Sequence, residues 1–88
     1  MITKQTILSN KLGLHARATV KLVNTAERFH SEIVICFQNH AVNAKNMLAL
    51  MTLGATGGSS LAITVSGSDE NEAMTAILQL IEEKFKEE

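Results

Sequence analysis

The sequence predicts an α+β domain in which helices cover one face of an antiparallel sheet. Short runs rich in β-branched and apolar residues, Ile2 to Leu8, Glu32 to Phe37, Ala41 to Asn43 and Leu61 to Val65, read as strands. Stretches with helical character start near Ala16, near Met47 and after Ser68-Asp69-Glu70. The resulting order is strand, helix, strand, strand, helix, strand, helix, with no linker between elements. At 88 residues the chain is one domain, spanning 1–88, that buries only somewhat over ~60% of its unfolded surface. A site on such a domain lies near the surface and not in a deep two-substrate cleft.

Each element has a local cause. Ser9 to Leu14 is a loop between the first strand and a helix running from Ala16 to about Glu27. Val20, Val23, Ala26 and Phe29 recur at three-residue spacing, which predicts an apolar stripe on that helix. Gln38-Asn39 supplies the turn between the second and third strands. Asn46 is the expected N-cap of a short helix, Met47 to Leu53, which Gly54 terminates. Gly57-Gly58-Ser59-Ser60 reads as a loop. In the last helix, Ala73, Ile77, Leu80 and Ile81 fall on one face, with Met74 and Leu78 nearby.

Composition narrows the function classes. Cys36 is the only cysteine, so an intrachain disulfide is excluded and nothing points to an oxidising compartment. The first residues contain no apolar stretch of signal-peptide type, and no run approaches the roughly 20 apolar residues that span a bilayer. A soluble, cytoplasmic protein without membrane association is expected. The net charge is −1 but unevenly spread: residues 1–45 hold six Lys and Arg against two acids, and residues 46–88 hold two against seven. No acid precedes Glu27, so Lys4, Lys11, Arg17 and Lys21 form a positive surround for His15 that attracts phosphate and steers an acidic partner. The acidic second half and an aromatic content of three phenylalanines count against nucleic-acid binding.

The most informative stretch is Gly13-Leu14-His15-Ala16-Arg17. The helix starting near Ala16 lacks a Ser, Thr, Asp or Asn immediately before it, so its first N–H groups have no local side-chain acceptor. Together with the partial positive charge of the helix end, they form an anion site. Arg17 adds a permanent cation whose planar fork of donors matches phosphate oxygens. An imidazole nucleophile beside such a site suits a histidine that carries a phosphoryl group.

With Val42-Asn43-Ala44-Lys45-Asn46-Met47 and Leu50-Met51-Thr52-Leu53-Gly54-Ala55, this stretch resembles the HPr family. These are the histidine phosphocarriers of the bacterial phosphoenolpyruvate-dependent phosphotransferase system, together with their nitrogen-branch paralogues. The resemblance covers essentially the whole chain. It implies an open-faced β-sandwich, a four-stranded antiparallel sheet covered on one face by three helices (βαββαβα). It further implies that His15 accepts a phosphoryl group on Nδ1 from phospho-enzyme I and passes it to enzyme IIA proteins. Arg17 and the backbone amides of Ala16 and Arg17 would contact the phosphoryl oxygens. The short second helix would offer an apolar docking surface, with Met47, Leu48 and Met51 as its candidates and Met47 and Leu48 the more exposed pair. Such a protein is a covalent relay and not an enzyme with its own small-molecule substrate; no cofactor is implied, and a monomer is the expected state.

Two positions depart from the pattern. Ala18 stands where many family members have proline, and Asn46 stands where many Gram-positive members carry a serine phosphorylated by a dedicated kinase. Asn46 lacks the hydroxyl and keeps only the capping role. Both the sugar-transport and the nitrogen-regulation branch are compatible with the motif, and Lys11 with Ala18 looks more like the nitrogen-branch carriers. The alternative of a regulatory binding module, as in paralogues that lost the histidine, fits less well because His15 and Arg17 are both retained. His30, Cys36 and His40 could each ligate a metal, but their spacing matches no compact zinc pattern. Gly54, Gly57 and Gly58 lack the Lys-Ser/Thr ending of a P-loop and read as turn chemistry.

Overall fold

A computed structural model of the chain describes residues 1–86. Among them, four strands form one sheet: β1 (Ile2–Ile7), β2 (Glu32–Phe37), β3 (His40–Asn43) and β4 (Ser60–Ser66). All three pairings are antiparallel and the spatial order is β1-β4-β2-β3. Helices α1 (Ala16–Ala26), α2 (Met47–Thr52) and α3 (Glu70–Glu82) complete the α+β architecture that the element order predicts and the open-faced sandwich that the resemblance implies.

Period-two alternation decides which face is buried. Along β4, Leu61, Ile63 and Val65 are buried; on β2, Ile33 lies opposite Val65 and Ile35 opposite Ile63, so all five side chains share one face. Onto that face pack Leu22 of α1, Leu50 of α2, and Ala73, Ile77 and Ile81 of α3. The opposite face, with Thr3, Ala62, Thr64 and Cys36, carries no helix among the described residues; there the hydroxyls of Thr3 and Thr64 meet at 3.0 Å across β1 and β4.

The α1 stripe differs from the expected one. Ala18, Thr19, Leu22 and Ala26 are buried, Val20 is exposed, and Val23 and Phe29 are only partly covered. A three-residue step advances 300° around a 3.6-residue helix, so a run of such steps drifts off the core-facing side. Alternating in fours, Ala18-Leu22-Ala26 keeps it.

Two local structures were not foreseen. Residues Lys84–Lys86 wind left-handed after α3, with φ of 55°, 56° and 59°. Left-handed backbone is unfavourable for residues with a Cβ. Here it is held by burial of Phe85 against the core and by Lys21 Nζ, which donates to the Phe85 carbonyl at 2.6 Å. The second is the start of α3. Asp69 occupies the N-cap position without capping the helix through its side chain. Its carboxylate instead accepts from the His30 and Ser31 amides, each at 2.9 Å, and from the Ser31 hydroxyl, joining α3 to the α1–β2 connection. The hairpin between β2 and β3 turns at Gln38-Asn39 as expected, both with positive φ.

Candidate functional site: an uncapped helix start beside a histidine

The loop before α1 is fastened to the segment after α2. Leu8 N–H donates to the Ser59 carbonyl at 2.9 Å and Gly58 N–H returns a bond to the Leu8 carbonyl at 2.8 Å, extending the β1–β4 ladder past the strand end. Further on, Leu14 N–H donates to the Ala55 carbonyl at 3.0 Å. Between these anchors Asn10 to Gly13 form a turn closed by Gly13 N–H to Asn10 O at 3.3 Å and by Asn10 Nδ2 to Gly13 O at 2.8 Å. Two glycines permit the close approach. Gly13 has φ +66° and a Cβ there would collide with Ala55 and Thr56 backbone, while a Cβ on Gly57 would lie 2.5 Å from the Asn10 carbonyl oxygen. Gly57, read from the sequence as simple turn chemistry, thus also backs the loop that carries His15.

His15 is the N-cap residue of α1, extended at φ −78° and ψ 174°, and its side chain does not cap the helix. The first helical hydrogen bond runs from Thr19 N–H to the His15 carbonyl at 2.9 Å. The amides of Ala16, Arg17 and Ala18 therefore precede the helical ladder, and no acidic residue lies in the first turn. The His15 ring is half-buried with Nε2 covered. Ala16 and Arg17 are exposed, and the Arg17 guanidinium makes no hydrogen bond or ion pair among the described residues. Ala18 is fully buried. Its amide lies ahead of the ladder, so a proline ring would displace no helical hydrogen bond there.

On α2, Asn46 caps the helix as expected, its Oδ1 accepting from Ala49 N–H at 3.1 Å. Leu50 is buried, whereas Leu48 is 77%, Met51 41% and Met47 37% exposed, so the more exposed pair is Leu48 and Met51 and not the expected Met47 and Leu48. This helix packs against α1. Of the positive surround, Lys11 and Arg17 are exposed close to His15 in the chain, and Lys21 reaches the Phe85 carbonyl. Lys4 lies in β1 opposite Ile63, four strand positions and about 13 Å before Leu8. It belongs to the sheet more than to the loop.

The three possible metal ligands stay in separate settings. Cys36 is half-buried in β2, His40 sits at the hairpin with Nδ1 3.1 Å from the Gln38 carbonyl oxygen, and the His30 amide faces Asp69. Clefts occur away from His15, one of about 490 Å³ lined by Arg28, Phe29, Glu72 and Gln79, and another of about 370 Å³ lined by His40, Val42 and Thr52.

The chain also matches known proteins along its length. Residues 2–83 match the family described as the PTS HPr component phosphorylation site. The phosphocarrier protein HPr of Xylella fastidiosa (strain 9a5c) is 41% identical over 88 residues, covering 100% of this chain and 99% of the relative. A crystal structure of HPr-C-His from Thermoanaerobacter tengcongensis superimposes with a TM-score of 0.96 at 41% identity, covering 100% of this chain and 99% of that one. A crystal structure of an HPr dimer from the same organism has a TM-score of 0.78 at 40% identity, with coverage of 97% and 98%. Full-length agreement in both sequence and backbone makes the chain a member of the HPr family, the phosphocarriers of the phosphotransferase system.

Proposed function

We propose that His15 accepts a phosphoryl group from phospho-enzyme I and hands it to an enzyme IIA protein. The observation that carries this reading is the juxtaposition of His15 with the uncapped amides of α1 and the guanidinium of Arg17, unpaired among the described residues. Burial of Nε2 supports Nδ1 as the attacking nitrogen. The Nδ1–phosphorus bond forms as the bond between phosphorus and the donor protein breaks, and the donor group leaves with the bonding electron pair. The amides of Ala16 and Arg17 and the Arg17 side chain then face the phosphoryl oxygens, stabilising charge that a bare imidazole could not hold. Positioning and electrostatics are the protein's whole contribution, in keeping with a relay.

Met47, Leu48 and Met51 form the docking surface for both partners in this reading. Flexible methionines suit a surface that must accept more than one protein. A monomer in the cytoplasm goes with the role, because the carrier must leave one partner before meeting the next. The test is intact-protein mass measurement after incubation with phosphoenolpyruvate and a bacterial enzyme I, wild type beside His15→Ala. One acid-labile phosphate on the wild type and none on the variant is expected. A stoichiometric acid-labile label on His15→Ala would remove His15 from the role.

A further inference from the structure

Leu12 is 69% exposed, lies three positions before His15 and is not part of the core cluster of the described residues. In the Asn10–Gly13 turn, Asn10 and Gly13 are buried and Lys11 and Leu12 are exposed. Turns at the surface ordinarily favour Gly, Asn, Asp or Ser, so leucine there gains nothing from the turn itself. The turn is also held firmly. Both of its closing hydrogen bonds join Asn10 to Gly13, and the backbone behind it, at Gly57, leaves no room for inward movement. Leu12 is therefore presented on a rigid support, which lowers the ordering cost of burying it in a complex.

We infer that Leu12 is an anchor for the protein partner that exchanges phosphate with His15, seated in an apolar pocket of that partner bordered by carboxylates. Three trans peptides separate the two residues, so their Cα atoms are at most about 11 Å apart. A standard protein interface covers about 800 Å² on each side, equivalent to a disc of roughly 16 Å radius. A partner whose phosphoryl group reaches His15 therefore spreads over Leu12. The chemistry of the pocket follows from the neighbours. Lys11 precedes Leu12, Arg17 follows it, both are exposed, and no acid occurs in the chain before Glu27. Leu12 and the α2 residues come from separate segments, so together they would fix the partner's orientation about His15 as a single patch could not.

The inference rests on the carrier role proposed above, and the experiment separates the two. Steady-state phosphorylation by enzyme I and phosphoenolpyruvate is measured with wild type, Leu12→Ser and Leu12→Met as the varied substrate, alongside thermal melting of each. The expected result is a KM raised about tenfold for Leu12→Ser with kcat within about twofold, and near wild-type KM for Leu12→Met, as for an interface anchor. Melting midpoints should coincide. A Leu12→Ser KM within about twofold of wild type overturns the anchor while leaving the carrier role standing. So does a fall in kcat accompanied by a lower melting midpoint, since that would mean Leu12 shapes the loop. A wild type that takes no phosphate overturns both.

Discussion

The Asp69 carboxylate and Ser31 are joined twice, through the Ser31 amide and through its hydroxyl, across 38 positions of chain. With the His30 amide added, these bonds hold the carboxyl of Asp69 down from its ordinary 3.8 to about 2, the Ser31 hydroxyl acting most strongly and the His30 amide next. Because the folded value is depressed, the stabilisation is fully present above the unfolded value near 4 and is lost as pH falls through about 2. Asp69→Asn should therefore lower the melting midpoint at pH 7, and the gap to wild type should shrink as both are acidified from pH 5 towards pH 2. Thermal melts across that range check it; a gap independent of pH would assign the loss to packing.

Gly57→Ala should disturb the loop that carries His15. Its Cβ would meet the backbone carbonyl oxygens of Asn10 and Lys11 at 2.5 and 2.6 Å, so the loop must shift. A cost of about 1–3 kcal/mol is expected, together with slower phosphorylation. Gly58→Ala is the contrast. Its Cβ meets nothing within 4 Å, and only the positive φ of 92° is unfavourable, so about 1–2 kcal/mol of stability should be lost with the transfer rate kept. Denaturant melts paired with transfer rates distinguish the two.

Arg17→Ala should slow transfer by about 100-fold, the scale for removing one charge-stabilising donor from a reacting centre. The melting midpoint should stay put, since the side chain is exposed and bonds to nothing among the described residues. Rapid-quench transfer from phospho-enzyme I and a thermal melt together decide it; an unchanged rate would exclude Arg17 from contact with the phosphoryl group.

Asn46→Ala should destabilise by about 1 kcal/mol, through loss of the bond to Ala49 N–H, whereas Asn46→Ser should retain most of it. Phe85→Ala should cost more, about 3–5 kcal/mol, because the ring is fully buried under a left-handed turn that depends on it. Denaturant unfolding at pH 7 measures all three.

What could be read from the chain was what is local. His15 at an uncapped helix start, Asn46 as a cap, and the Gln38-Asn39 turn each declare themselves within four or five residues, and the strands do so by alternation. The α1 face was misread because Val20 and Val23 are more apolar than Ala18, although Ala18 keeps the better angular phase with Leu22 and Ala26. The use of Gly57 against Asn10, of Asp69 against Ser31 and of Lys21 against Phe85 depends on pairings 38 to 64 positions apart. Nothing in either member of such a pair announces the other. Leu12 illustrates a different blindness, since a leucine in a loop looks the same in sequence whether it is buried or presented.

The two hydrogen bonds between Leu8 and residues 58 and 59 tie the His15 loop to the β1–β4 ladder of the sheet. The loop and the sheet should consequently open as one cooperative unit. In native-state hydrogen exchange, the amides of Leu8, Leu14 and Gly58 should share the protection of the β4 core and be released only by global unfolding. In the carrier role proposed for it, such a loop would meet each partner with its geometry already set, and exchange would wait on encounter and docking and not on the ordering of a loop.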